Sequence, residues 1–94
     1  MKICPEIQHF AERMQYKLDK NKHKDCPILD PDGTGRSWKE CDASWLLSRL
    51  KDEVKELEEA LSGEYPNEKA PNECADVANF AMMIADVLAT DYNK

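Results

Sequence analysis

The 94 residues predict an all-α protomer of three main helices, built as a single domain over 1–94. Three observations carry that prediction. Two stretches place apolar residues at helical spacing, and a third is apolar almost all the way round. No stretch alternates with the period of two that a half-buried strand requires. A chain this short has room for one core only.

The first helix is expected over about 5–21. Pro5 is tolerated in a first turn, and Ile7, Phe10, Met14 and Leu18 follow at helical steps with Ala11 beside them. The next segment, 22–37, contains DCPILDPDGTGRS and reads as a loop, because Pro27, Pro31, Gly33 and Gly35 break regular structure. The second helix is expected over about 38–62. Ser37 to Glu40 fits a capping box, and Asp42 competes for the N-cap. Leu47, Leu50, Val54, Leu57 and Leu61 form its apolar stripe, with Gly63 as the stop. Residues 63–70 read as a polar turn around Pro66. The third helix is expected over about 71–90. Its apolar surface is too extensive for a three-helix monomer to cover, so a homodimer or a dimer of dimers is expected to complete the bundle.

Charge narrows the function classes. The net charge of −6 argues against a nucleic-acid polymer or an anionic membrane as partner. It is unevenly spread: residues 1–24 carry +3 against −9 for the rest. A basic arm beside an acidic cluster suits an anionic ligand held through a metal. No apolar run is long enough for a transmembrane helix, and the opening MKICPEIQHF lacks the apolar stretch of a secretory signal. Cys4, Cys26, Cys41 and Cys74 have no paired spacing. They are expected to be free thiols in a reducing compartment, the cytoplasm.

The chemistry lies in two acidic pairs. Glu53-Val54-Lys55-Glu56 and Glu73-Cys74-Ala75-Asp76 each put two carboxylates on one helix face. If the second and third helices pack side by side, four carboxylates converge, and a cation is needed to hold them together. An E-x-x-E alone is usually a solvated surface. Glu73 and Asp76 are harder to dismiss, because the helix that carries them has few other polar residues. Hard oxygen ligands without histidine suit Mg²⁺, with Mn²⁺ as the substitute. A di-iron bundle would want Glu-x-x-His motifs, and neither His9 nor His23 stands in one.

These paired motifs, the Asn21–Lys24 segment NKHK, Trp38, the stretch WLLSRLKDEVKELEEAL at 45–61 and ECADVANFAMMIADVL at 73–88 together resemble the MazG-like all-α nucleoside triphosphate pyrophosphohydrolases. That superfamily includes the dimeric dUTPases and the dCTP pyrophosphatases. The resemblance covers the chain from about residue 14 onward. It implies that Glu53, Glu56, Glu73 and Asp76 are Mg²⁺ ligands. The implied reaction is hydrolysis of a nucleoside triphosphate between the α- and β-phosphates, giving monophosphate and pyrophosphate, as in cleansing of a nucleotide pool. Glu53 is the candidate catalytic base, a role that the sequence does not separate from that of a metal ligand. The 25–37 loop is longer than the family pattern, and some relatives add a further helix beyond the third.

Four more residues are substrate-binding candidates, each with a plainer alternative. Lys22 and Lys24 match the family's basic segment and suit phosphates, or they solvate a helix end. Trp38 stacks on a nucleobase or packs in the core. Asn79 bonds a base edge or phosphate, or satisfies a backbone group. Trp45, opposite the leucine stripe, is expected at an oligomer contact. Asp30 to Gly35 is similar to a calcium loop but has Cys41 where Glu is required, and Gly33 to Ser37 lacks the ending of a phosphate loop. The alternative to an enzyme is a non-catalytic helical protein-interaction module whose acids form a solvated face.

Overall fold

The computed structural model describes residues 1–21 and 37–89. Its elements are α1 (Pro5–Asn21), a single 3₁₀ turn (Ser37–Glu40), α2 (Ala43–Ser62) and α3 (Pro66–Ala89). Among the described residues there are three α-helices and no strand. None of the helices is long and apolar enough to cross a membrane. Lys22, Lys24 and most of the 22–37 loop, His23 and Cys26 included, lie outside the described residues.

The first helix keeps its expected bounds. The second starts later than expected. Ser37 to Glu40 forms its own turn, closed by the Cys41 amide donating to the Trp38 carbonyl at 2.9 Å. Asp42 then takes the N-cap position, with extended backbone and no side-chain cap bond. Gly63 ends α2 in an extended conformation, its amide reaching the Ala60 carbonyl at 3.4 Å. The third helix begins five residues earlier than expected. Pro66 occupies its first position, where a missing N–H costs nothing, and the amides of Glu68 and Lys69 fold back onto the Tyr65 carbonyl. Pro71 therefore lies inside the helix.

α3 is the central element: α2, α1 and the 3₁₀ turn all pack against it. α2 and α3 run antiparallel. Leu46, near the start of α2, meets Phe80 and Met83, whereas the end of α2 shares a cleft with Lys69 and Glu73. The core comprises Trp38, Cys41, Leu46, Phe80 and Met83, with Leu18, Trp45 and Leu50 packed against it.

Two expectations about faces are corrected. The face of α2 turned inward is Leu46, Glu53 and Ala60, each seven residues from the next and so on one side of the helix. The expected stripe centred on Val54 is rotated away from it, and leaves Leu47 and Leu61 exposed. Trp45 accordingly packs on the core instead of facing outward. The physical reason is spacing between helices. Alanines at 60, 70 and 75 are buried, and such small side chains bring two helices close where leucine would hold them apart.

The cysteines also depart from expectation. Cys4 and Cys74 are free thiols, but Cys41 is disulfide-bonded. A disulfide leaves no mark in local spacing; it depends on how near two thiols come in the fold.

Candidate metal centre

One turn of α2 and one turn of α3 meet midway along their antiparallel contact. Glu53 stands on the inward face of α2 and is 8% exposed. Glu73 and Asp76 sit one turn apart on α3 and are half-buried. Glu53, Glu73 and Asp76 each bring a carboxylate oxygen to within 4.8 Å of the other two. Glu56 stands beside this group at the exposed edge of α2. Glu56 and Glu73 also line an adjoining cleft of about 210 Å³ with Glu59, Ala60, Gly63 and Lys69.

The electrostatics are those of crowded, poorly solvated carboxylates. Glu53 Oε2 and Glu73 Oε2 are buried with no hydrogen-bond donor in reach. A buried carboxylate oxygen in that condition is costly. Burial, followed by the neighbouring Glu56 carboxylate and then the charges of Asp76 and Glu73, pushes the Glu53 carboxyl up to about 8. Burial also raises Glu73, helped by the charges of Glu56 and Asp76 and opposed by Lys17. Asp76 is raised by burial despite the Lys17 ammonium beside it. All three shifts have one cause: negative charge confined in a poorly solvated place.

Two cations partly compensate. Lys17 of α1 places Nζ 3.5 Å from Asp76 Oδ2, with both side chains about 15% exposed. Arg49, one turn before Glu53, lies 3.7 Å from Glu53 Oε1 and sits over the Phe80 ring at 5.4 Å. Neither cation reaches the two orphaned oxygens. A divalent ion fits the donor set: three clustered carboxylates, all oxygen, with a fourth beside them.

Of the residues singled out in the sequence, Glu53, Glu73 and Asp76 come together and Glu56 adjoins them. Asn79 and Trp38 do not join this group. Asn79 is buried, and its side-chain amide donates to the Met14 carbonyl of α1 at 2.9 Å. That geometry is the backbone-satisfying alternative. Trp38 is buried in the core, its indole N–H donating to Asp86 Oδ2 at 3.1 Å, which is the packing alternative. Lys22 and Lys24 lie outside the described residues. Lys17 was visible in the sequence only as part of the basic arm. Its signal was position: three residues after Met14 and next to Leu18, it flanks the apolar stripe of α1.

No known protein family, curated protein or solved structure matches the chain. The functional reading therefore rests on the geometry of this centre and on the sequence motifs that build it.

Proposed function

We propose that the chain is an Mg²⁺-dependent nucleoside triphosphate pyrophosphohydrolase of the MazG-like kind. It would cleave (d)NTPs to (d)NMP and pyrophosphate and so cleanse a nucleotide pool. The observation that carries this reading is that Glu53, which brings a carboxylate oxygen to within 4.8 Å of Glu73 and Asp76, is buried and has an oxygen with no hydrogen-bond donor. A solvated acidic face, as in the interaction-module alternative, has no reason to bury a carboxylate that is only partly compensated.

Glu53, Glu73 and Asp76 would hold the ion, with Glu56 completing the set from the cleft side. The bound ion supplies neutralisation of the phosphate chain and acidification of a water. Glu53 would take the proton from a water attacking the α-phosphorus, the role the sequence does not separate from that of a metal ligand. Water adds there as the bond to the bridging oxygen breaks, and pyrophosphate leaves. The exposed edge carrying Glu56, and the cleft beside it, give a phosphate chain a way in. Exposed Leu47 and Leu61 on α2 favour association into a homodimer or a dimer of dimers. A nucleotide-pool role implies the cytoplasm, where the Cys41 disulfide would be held reduced. The proposed chemistry does not use that bond.

The test is pyrophosphate release from a panel of ordinary and modified NTPs and dNTPs, with and without Mg²⁺. Metal-dependent release that disappears in Glu73→Gln supports the enzyme, and the best substrate names the base and sugar preferred. No release from any triphosphate, together with no Mg²⁺ binding by calorimetry, would leave the interaction module as the better reading.

A further inference from the structure

Lys17 is an unusual neighbour for a metal centre. It comes from α1, whereas every carboxylate comes from α2 or α3. Its ammonium is largely withdrawn from water and is paired with Asp76, a member of the carboxylate group, at 3.5 Å. No other ion pair of Lys17 occurs among the described residues. A single positive charge in this position offsets part of the repulsion in the cluster, and it does so on the very group a divalent ion would need.

We propose that Lys17 is a built-in countercation: it stands in for the divalent ion when the site is empty, gives up Asp76 when the ion binds, and then grips the anionic phosphate chain that the ion recruits. This rests on the metal-centre reading and extends it to the order of binding. Two positive charges competing for Asp76 repel one another, so the ion binds against Lys17. Once released, the flexible four-carbon stem leaves the ammonium next to the anion that arrives, where it donates charge-assisted hydrogen bonds to phosphate oxygens. Metal and phosphate are then coupled through one side chain. An anion meets a free ammonium only after the metal has taken the acid, so the phosphate is captured as a metal complex and not alone. Lys17 is thus a phosphate-binding residue that the two acidic motifs do not reveal.

The inference makes predictions of opposite sign, which loss of structure cannot imitate. In Lys17→Met the stem is kept and the charge removed. Calorimetric titration with Mn²⁺ should show tighter metal binding, by roughly fivefold or more, because the competing charge is gone. Titration of the Mn²⁺-loaded protein with manganese pyrophosphate should show weaker binding, by about tenfold, because a charge-assisted contact is lost. Lys17→Arg keeps the charge and should stay near the wild type in both titrations. A purely structural role for Lys17 would weaken both in Lys17→Met. Metal affinity that is unchanged or weaker in Lys17→Met, or pyrophosphate affinity that does not fall, overturns the inference while leaving the metal centre in place. A wild-type protein that binds no Mn²⁺ overturns both readings. The paired effect in Lys17→Met, together with a wild-type protein that hydrolyses no triphosphate, removes only the proposed reaction.

Discussion

The two ends of the α2–α3 contact solve the same packing problem in opposite ways. At the end where α2 begins, Leu46 and Met83 are fully buried, and the polar group beside them is answered. Asp86 accepts from the Trp38 indole at 3.1 Å and from Lys39 Nζ at 2.8 Å. A few turns along, Glu53 occupies the same inward face seven residues after Leu46, and one of its oxygens is left without a donor. The first arrangement is what stability favours. The second is costly while the group is charged, and the fold meets that cost by raising the Glu53 carboxyl so that it holds a proton. The difference between a satisfied and an unsatisfied carboxylate, on one pair of helices, separates framework from site.

The comparison can be broken most forcefully at the acids. Asp76→Asn or Glu53→Gln should lower turnover by about 10³-fold or more, since each removes a proposed metal ligand. The metal-free fold should be kept or improved, because repulsion is relieved. Parallel turnover assays and thermal melts in chelator read this out, and a variant that loses both activity and stability would argue that Glu53 is merely structural. At the other end, Leu46→Ala should cost about 2–5 kcal/mol in denaturant unfolding, the usual penalty for emptying a tightly packed leucine site. Opposite signs for Leu46→Ala and Glu53→Gln in the same unfolding experiment would sharpen the contrast.

The pH dependence of the metal-free protein has a fixed sign. The Glu53 carboxyl is raised from 4.5 to about 8 in the fold. Between those values the folded chain keeps a proton that the unfolded chain has lost. The stability contributed is complete below the lower value and is lost as pH rises through the upper one. The slope from this group is at most about 1.4 kcal/mol per pH unit, and the upward shifts of Glu73 and Asp76 act in the same direction. Melting temperatures in chelator should fall from mildly acidic to mildly alkaline pH. Glu53→Gln should flatten the curve, and saturating Mg²⁺ should raise its alkaline limb. The smallest effect belongs to Trp38→Phe. Losing the indole bond to Asp86 should cost about 1 kcal/mol and leave KM for a triphosphate unchanged. A large rise in KM would instead restore Trp38 as a base-stacking residue.

The helical architecture and the meeting of the acids were legible because both depend on local period. Glu53 and Glu56, like Glu73 and Asp76, are one turn apart on any helix that forms, and antiparallel packing of the two helices brings the pairs together. The inward face of α2 was not legible, because leucine spacing points to Val54 while the fold turns Leu46, Glu53 and Ala60 inward. No pattern of hydrophobicity predicts that a glutamate is chosen over a leucine for burial. The early start of α3 was hidden by Pro71, which resembles a first-turn proline as well as Pro66 does. The Lys17–Asp76 pair bridges 59 positions of sequence, and only the docking of α1 on α3 could reveal it.

That docking gives Asn79 a consequence of its own. Apolar contacts alone let one helix roll or slide on another at small cost, since they have little preferred direction. The amide of Asn79, buried and fixed on the Met14 carbonyl at 2.9 Å, does have a direction, and it fastens α1 at a point one turn before Lys17. It works as an alignment pin. A side chain outside the carboxylate group thereby sets the phase of α1, and with it which residue of the basic arm is presented to the acids.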